Sequence, residues 1–127
     1  MDDMKREGRI AVVEADDLVR DLVRQWLVDA GYLVEAYSTP ARMGAVDLIV
    51  ADVASPRAAE PLLRQLLQTG HSVPVLLLSA RFRTGQGGSV HLADELGVKG
   101  VLPKPFTQRQ LLAAVRQSLA KRSDSGR

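Results

Sequence analysis

Apolar residues along this chain gather in blocks of two kinds. The first kind is short, continuous and aliphatic: RIAVVEA (9–15), YLVEAY (32–37), DLIVADV (47–53), VPVLLLSA (73–80) and GVLP (100–103). Runs of this length with no strict alternation predict strands covered on both faces. The second kind repeats with helical period. Val19, Leu22, Val23, Trp26, Leu27 and Ala30 fall on one face of a helix, with Asp16 or Asp17 available as N-cap and Gly31 as its stop. Trp26 therefore reads as a core residue rather than a ligand-binding one. Leu62, Leu63, Leu66 and Leu67 predict a helix opened near Pro61, where a first-turn proline lacks only a spare N–H. Leu92, Ala93 and Leu96, closed by Gly97, predict another, and Leu111, Leu112, Val115 and Leu119 a last one. Between residues 38 and 46 there is room for only a turn or two of helix.

Strands that alternate with helices and are apolar on both faces imply a parallel sheet sandwiched between helical layers. The expected class is therefore α/β and doubly wound. Such sheets bind at the carboxyl ends of their strands, beside the point where strand order reverses. The residues expected there are polar. The first strand empties into Glu14, Ala15, Asp16 and Asp17, the third into Asp52, the fourth into Ser79, and the fifth into Lys104 followed by Pro105 and Phe106. An isolated acid at a strand end is ordinary, since strand ends meet water. Carboxylates, a hydroxyl and an ammonium converging from four strand ends suggest chemistry. Glu14 and Asp52 could offer oxygens to a hard cation such as Mg2+, Lys104 could neutralise an anion, and Ser79 could donate to one of its oxygens.

Taken in order, VVEADDLVR, DLIVADVASP, VLLLSA and VLPKPF resemble the four signatures of the response-regulator receiver domain of two-component signalling. The resemblance spans roughly residues 8 to 121. It implies a flavodoxin-like, five-stranded parallel sheet of order 2-1-3-4-5. It also implies Asp52 as phosphoacceptor, Glu14 and Asp52 as Mg2+ ligands with the backbone carbonyl of Ala54, Ser79 as switch hydroxyl and Lys104 as phosphate partner. The bond from Lys104 to Pro105 would be cis. A sensor histidine kinase or phosphotransfer protein would supply the phosphoryl group, and a downstream protein partner would read the result. The protein would be a signalling phosphoacceptor, not an enzyme beyond its own phosphorylation and dephosphorylation.

The departures from that pattern carry expectations of their own. The second acid of the usual adjacent pair, the direct metal ligand, aligns with Ala15, which has no side-chain oxygen, so a weakened Mg2+ site is expected. Asp16 would replace it only if the loop were shifted. Val101 stands where the family's aromatic switch residue would be. Residues 31–47 are short for the usual second helix, whereas residues 81–96 are long and carry Gly85, Gly87 and Gly88. No Lys-Ser or Lys-Thr follows those glycines, so they do not read as a phosphate-binding loop. His71 and His91 lack partners at metal-ligand spacing.

Composition narrows the classes. At 127 residues with 46% hydrophobic and 25% charged, the chain fits one folded domain, expected over 9–121, with an N-terminal extension at 1–8 and a C-terminal tail at 122–127. No cysteine is present, which removes disulfides, thiol catalysis and zinc-thiolate sites and agrees with a cytoplasmic setting. The N-terminus is charged where a signal peptide needs an apolar stretch, and VPVLLL is too short to cross a bilayer. A net charge of +2 with 4% aromatics offers little to nucleic acid, so neither nucleic acid nor membrane is an expected partner. Arg116, Lys121, Arg122 and Arg127 read as a solvated helix end. Three functions follow: a stand-alone phosphoaccepting receiver, a degenerate receiver acting as a phosphorylation-independent interaction module, and an unrelated phosphatase or nucleotide enzyme. The third is disfavoured because Asp-Val-Ala lacks that phosphatase class's second acid.

Overall fold

The computed structural model describes residues 8–39, 44–53, 56–68, 73–79 and 98–125. Along them run β1 (Arg9–Val13), α1 (Asp17–Asp29), β2 (Leu33–Tyr37), β3 (Leu48–Asp52), α2 (Pro56–Gln68), β4 (Val75–Ser79), β5 (Gly100–Pro103) and α3 (Gln108–Ser125). The strands form one parallel sheet in the order β2-β1-β3-β4-β5, the flavodoxin-like order expected from the sequence. Strand order reverses beside β1, so the ends of β1 and β3 border the crevice.

Alternate residues of the central strands feed two separate cores. Ile10, Val12, Leu48, Val50, Leu76 and Leu78 face α1 and α3, where Val23, Leu27, Leu111 and Val115 close over them. Ala11, Val13, Ile49, Ala51 and Leu77 face the other way, onto Leu62, Leu63 and Leu66 of α2. Burial on both sides explains why these strands are unbroken aliphatic runs.

α1 is delimited by chemistry at both ends. Asp16 has extended backbone angles and its Oδ1 accepts from the Val19 N–H at 3.0 Å, satisfying one orphan donor of the first turn. At the other end Gly31 takes a φ of 103°, the left-handed region that glycine enters without a Cβ clash. The Gly31 N–H then reaches the Val28 carbonyl at 3.0 Å and the Tyr32 N–H the Leu27 carbonyl at 3.1 Å, while Tyr32 and Leu27 share a core. Asp16→Ala should lower stability by about 1 kcal/mol in urea denaturation. A change within error would mean that the first turn of α1 holds without its cap.

α3 opens on a reciprocal pair. The Gln110 N–H donates to Thr107 Oγ1 at 3.1 Å and the Thr107 N–H to Gln110 Oε1 at 2.8 Å, a capping box that fixes the turn after Lys104. The helix runs on to Ser125, into the segment expected as a tail.

α2 corrects the sequence expectation. It begins at Pro56, so Pro61 lies within the helix rather than in its first turn. Pro56 is the proline that suits an opening position. Pro61 has no N–H to donate back along the helix, and the apolar face of Leu62, Leu63 and Leu66 on the sheet keeps the helix intact across that missing bond. Residues 38, 39 and 44–47 are not helical. The helix predicted from Leu92, Ala93 and Leu96, together with Ala54, Gly85, Gly87, Gly88, His71 and His91, lies outside the described residues. Among those residues no helix is long and apolar enough to cross a membrane.

Candidate functional site

Glu14 follows β1 and is held at four points. Its N–H donates to the Tyr37 carbonyl at 2.9 Å, and its own carbonyl accepts from Arg20 Nη1 at 2.9 Å. Its side chain, only 3% exposed, accepts from the Asp16 N–H at Oε2 (3.1 Å) and from Lys104 Nζ at Oε1 (3.3 Å). A carboxylate so deeply buried is tolerated because both oxygens are engaged. Arg20 was not singled out by its position in the sequence. Its Nη2 also meets Asp17 Oδ1 at 2.6 Å, so one guanidinium ties α1 to the loop that carries Glu14. The only sequence signal for this role was its place one turn beyond the acidic cluster.

Asp52 ends β3, and its Oδ1 forms an ion pair with Lys104 Nζ. One ammonium thus bridges two carboxylates delivered by different strands. Burial pulls the Lys104 pKa down, but the hydrogen bond and charge of Asp52, then those of Glu14, outweigh it and leave the pKa above that of an ordinary lysine. Lys104 is placed by its backbone N–H, which donates to the Ser79 carbonyl at 2.9 Å, and by the turn before α3. The peptide bond from Lys104 to Pro105 is cis, as expected. Ser79 is fully buried at the end of β4, opposite Pro103 in register.

The structure therefore brings Glu14, Asp52 and Lys104 into contact and sets Ser79 on the neighbouring strand end. Asp16 sits beside them, with one oxygen committed to capping α1. Ala15 is exposed and Val101 is buried against the α2 core. Trp26, half-buried, meets Phe106 edge-on with ring centroids 6.4 Å apart. With Val19, Leu22 and Pro105 these rings line an apolar groove of about 380 Å³ that reaches Lys104.

The protein named response regulator MprA from Mycobacterium sp. (strain KMS) is 37% identical to this chain over 125 residues, 91% of the chain. The chain belongs to the response-regulator receiver family. It spans 52% of that relative's length, so the relative's remaining half has no counterpart in this alignment. One solved structure agrees with receiver membership and a second with the fold alone. The BeF3-activated DrrB receiver domain superposes with a TM-score of 0.69 at 26% identity, covering 91% of this chain and 99% of that one. The Vibrio cholerae chemotaxis protein CheY4 matches in fold, with a TM-score of 0.68 at 22% identity over 90% of this chain and 100% of its own. No protein-family model matches the chain.

Receiver domains generally bind Mg2+ at the phosphorylation site. The donors described here do not fit a tightly held Mg2+. That ion wants near-octahedral oxygens. Both oxygens of Glu14 are engaged, one oxygen of Asp52 is on Lys104, and Ala15 has none to give. Among the described residues no group of three or more acids, histidines or cysteines could hold a metal.

Proposed function

We propose that this receiver accepts a phosphoryl group on Asp52 from a sensor histidine kinase or phosphotransfer protein and signals by presenting a changed surface to a protein partner in the cytoplasm. The observation that carries this reading is the Lys104 ammonium held on the Asp52 carboxylate at the crevice edge of a receiver fold. Asp52 is the part-exposed member of the pair of acids and can meet a donor, whereas Glu14 is buried.

In the transfer, a carboxylate oxygen of Asp52 attacks phosphorus in line. The P–N bond of a phosphohistidine breaks as the new P–O bond forms, and the electron pair leaves on the imidazole nitrogen. Charge spreads over the equatorial oxygens, so positioning and a fixed cation do most of the work. Lys104 is that cation, and Glu14 keeps it aimed. Ser79 is the hydroxyl that follows the new phosphoryl group and shifts the chain behind it. The Ala54 carbonyl would belong to the same site. Ala15 deprives Mg2+ of a ligand and weakens the metal's part. The apolar groove reaching Lys104, lined in part by exposed Leu22, gives the donor protein a footing beside Asp52.

Incubation of the purified chain with acetyl phosphate should add one phosphoryl group, mapped to Asp52 by peptide mass after trapping. An unchanged mass from folded protein, with and without Mg2+, would favour the second reading, a receiver that works as an interaction module without phosphorylation. Ala15 and the engaged oxygens of Glu14 are the observations on that side.

A further inference from the structure

The crevice already contains a cation. We infer that Lys104 is the resident counter-ion of this site, holding Glu14 and Asp52 in a closed arrangement that keeps divalent ions out. The consequence, which rests on the phosphoacceptor reading, is that a phosphoryl group arriving at Asp52 is met by an ammonium in place of Mg2+.

Three observations converge on this. First, the ammonium lies between the two acids that a metal would have to share, touching Asp52 Oδ1 and lying 3.3 Å from Glu14 Oε1. Second, Glu14 is not available for rearrangement. Its other oxygen accepts from the Asp16 N–H, its carbonyl is tied to Arg20 and its N–H to Tyr37, so turning its carboxylate toward a metal would orphan a buried group. Third, the position that would tip the balance toward the metal is Ala15, and the neighbouring Asp16 has spent an oxygen on α1. Mg2+ gives up its waters reluctantly and needs several oxygens in fixed directions. An ammonium already in place on a long stem needs none of that reorganisation.

The test reads cation binding without reading phosphoryl transfer, so its failure and the failure of the phosphoacceptor reading are separate events. MgCl2 is titrated calorimetrically into the full chain and into Lys104→Gln and Lys104→Arg, with thermal melts alongside. Wild type and Lys104→Arg should show no saturable binding at about 1 mM, whereas Lys104→Gln should bind at least about tenfold more tightly and gain thermal stability with Mg2+. Lys104→Met, which keeps a long stem without the charge, serves if Lys104→Gln does not fold. Saturable binding by wild type well below millimolar Mg2+ would overturn the inference. So would folded charge-removed variants that bind no better than wild type.

Discussion

Asp52→Asn protein incubated with acetyl phosphate should gain no mass, while wild type under the same conditions gains one phosphoryl group. The substitution removes the nucleophile and little else. Asparagine keeps the shape of the side chain at the end of β3, and Asp52 pairs in register with Leu78 through backbone that is untouched. Lys104 also keeps a partner. Wild type sets two carboxylates against one ammonium, and the variant leaves Glu14 and Lys104 as a single pair at 3.3 Å. Stability should therefore stay within about 1 kcal/mol of wild type, as is usual for one part-exposed ion pair. Loss of phosphorylation with a preserved urea midpoint assigns the chemistry to Asp52. A phosphoryl group still found on the variant would place the acceptor elsewhere.

Leu27→Ala should lower stability by roughly 2–5 kcal/mol, the range for truncating a buried leucine where the surroundings relax only in part. Leu27 has no exposed surface and packs in the core shared by α1, α3 and the sheet. Its carbonyl and side chain also serve the helix stop, through the Tyr32 N–H and the Tyr32 ring. For a domain of this size the melting temperature should fall by about 10 °C. Leu18→Ala is the matched control. Leu18 is on the same helix but 82% exposed, and its loss should change stability by no more than about 0.5 kcal/mol. Equal effects from the two would contradict the assignment of the buried face.

The contrast between those leucines shows why the fold was legible. Each central strand is buried on both faces, so it appears as an unbroken aliphatic run, and α1 has a buried stripe that repeats at helical spacing. The start of α2 was hidden because PRAAEP carries no large apolar residue until Leu62, so periodicity could not locate the first turn. The capping box of α3 was readable as Thr107 followed three residues later by Gln110, and lay outside the apolar pattern.

The site was legible as a set of residue types at strand ends. Its wiring was not. Lys104 and Glu14 are 90 positions apart, and nothing local says that one ammonium will serve two acids or that Glu14 will be buried while Asp52 stays part-exposed. Spacing offered Asp16 and Asp17 alike as the cap of α1, and did not say which carboxylate would be drawn onto the helix. That outcome depends on where α1 begins, and backbone N–H groups at a helix start compete for the nearest oxygen.

The edge-on meeting of Trp26 and Phe106 gives the molecule a built-in optical gauge. The sequence holds a single tryptophan, so its emission comes from one place, and the ring it leans on lies two residues past Lys104. An event that shifts the turn carrying Lys104 moves Pro105 and Phe106 with it, and the indole then sees a different neighbour. Fluorescence from the unlabelled protein therefore watches the turn that carries the ammonium, from the far side of the groove and without a probe attached near Asp52.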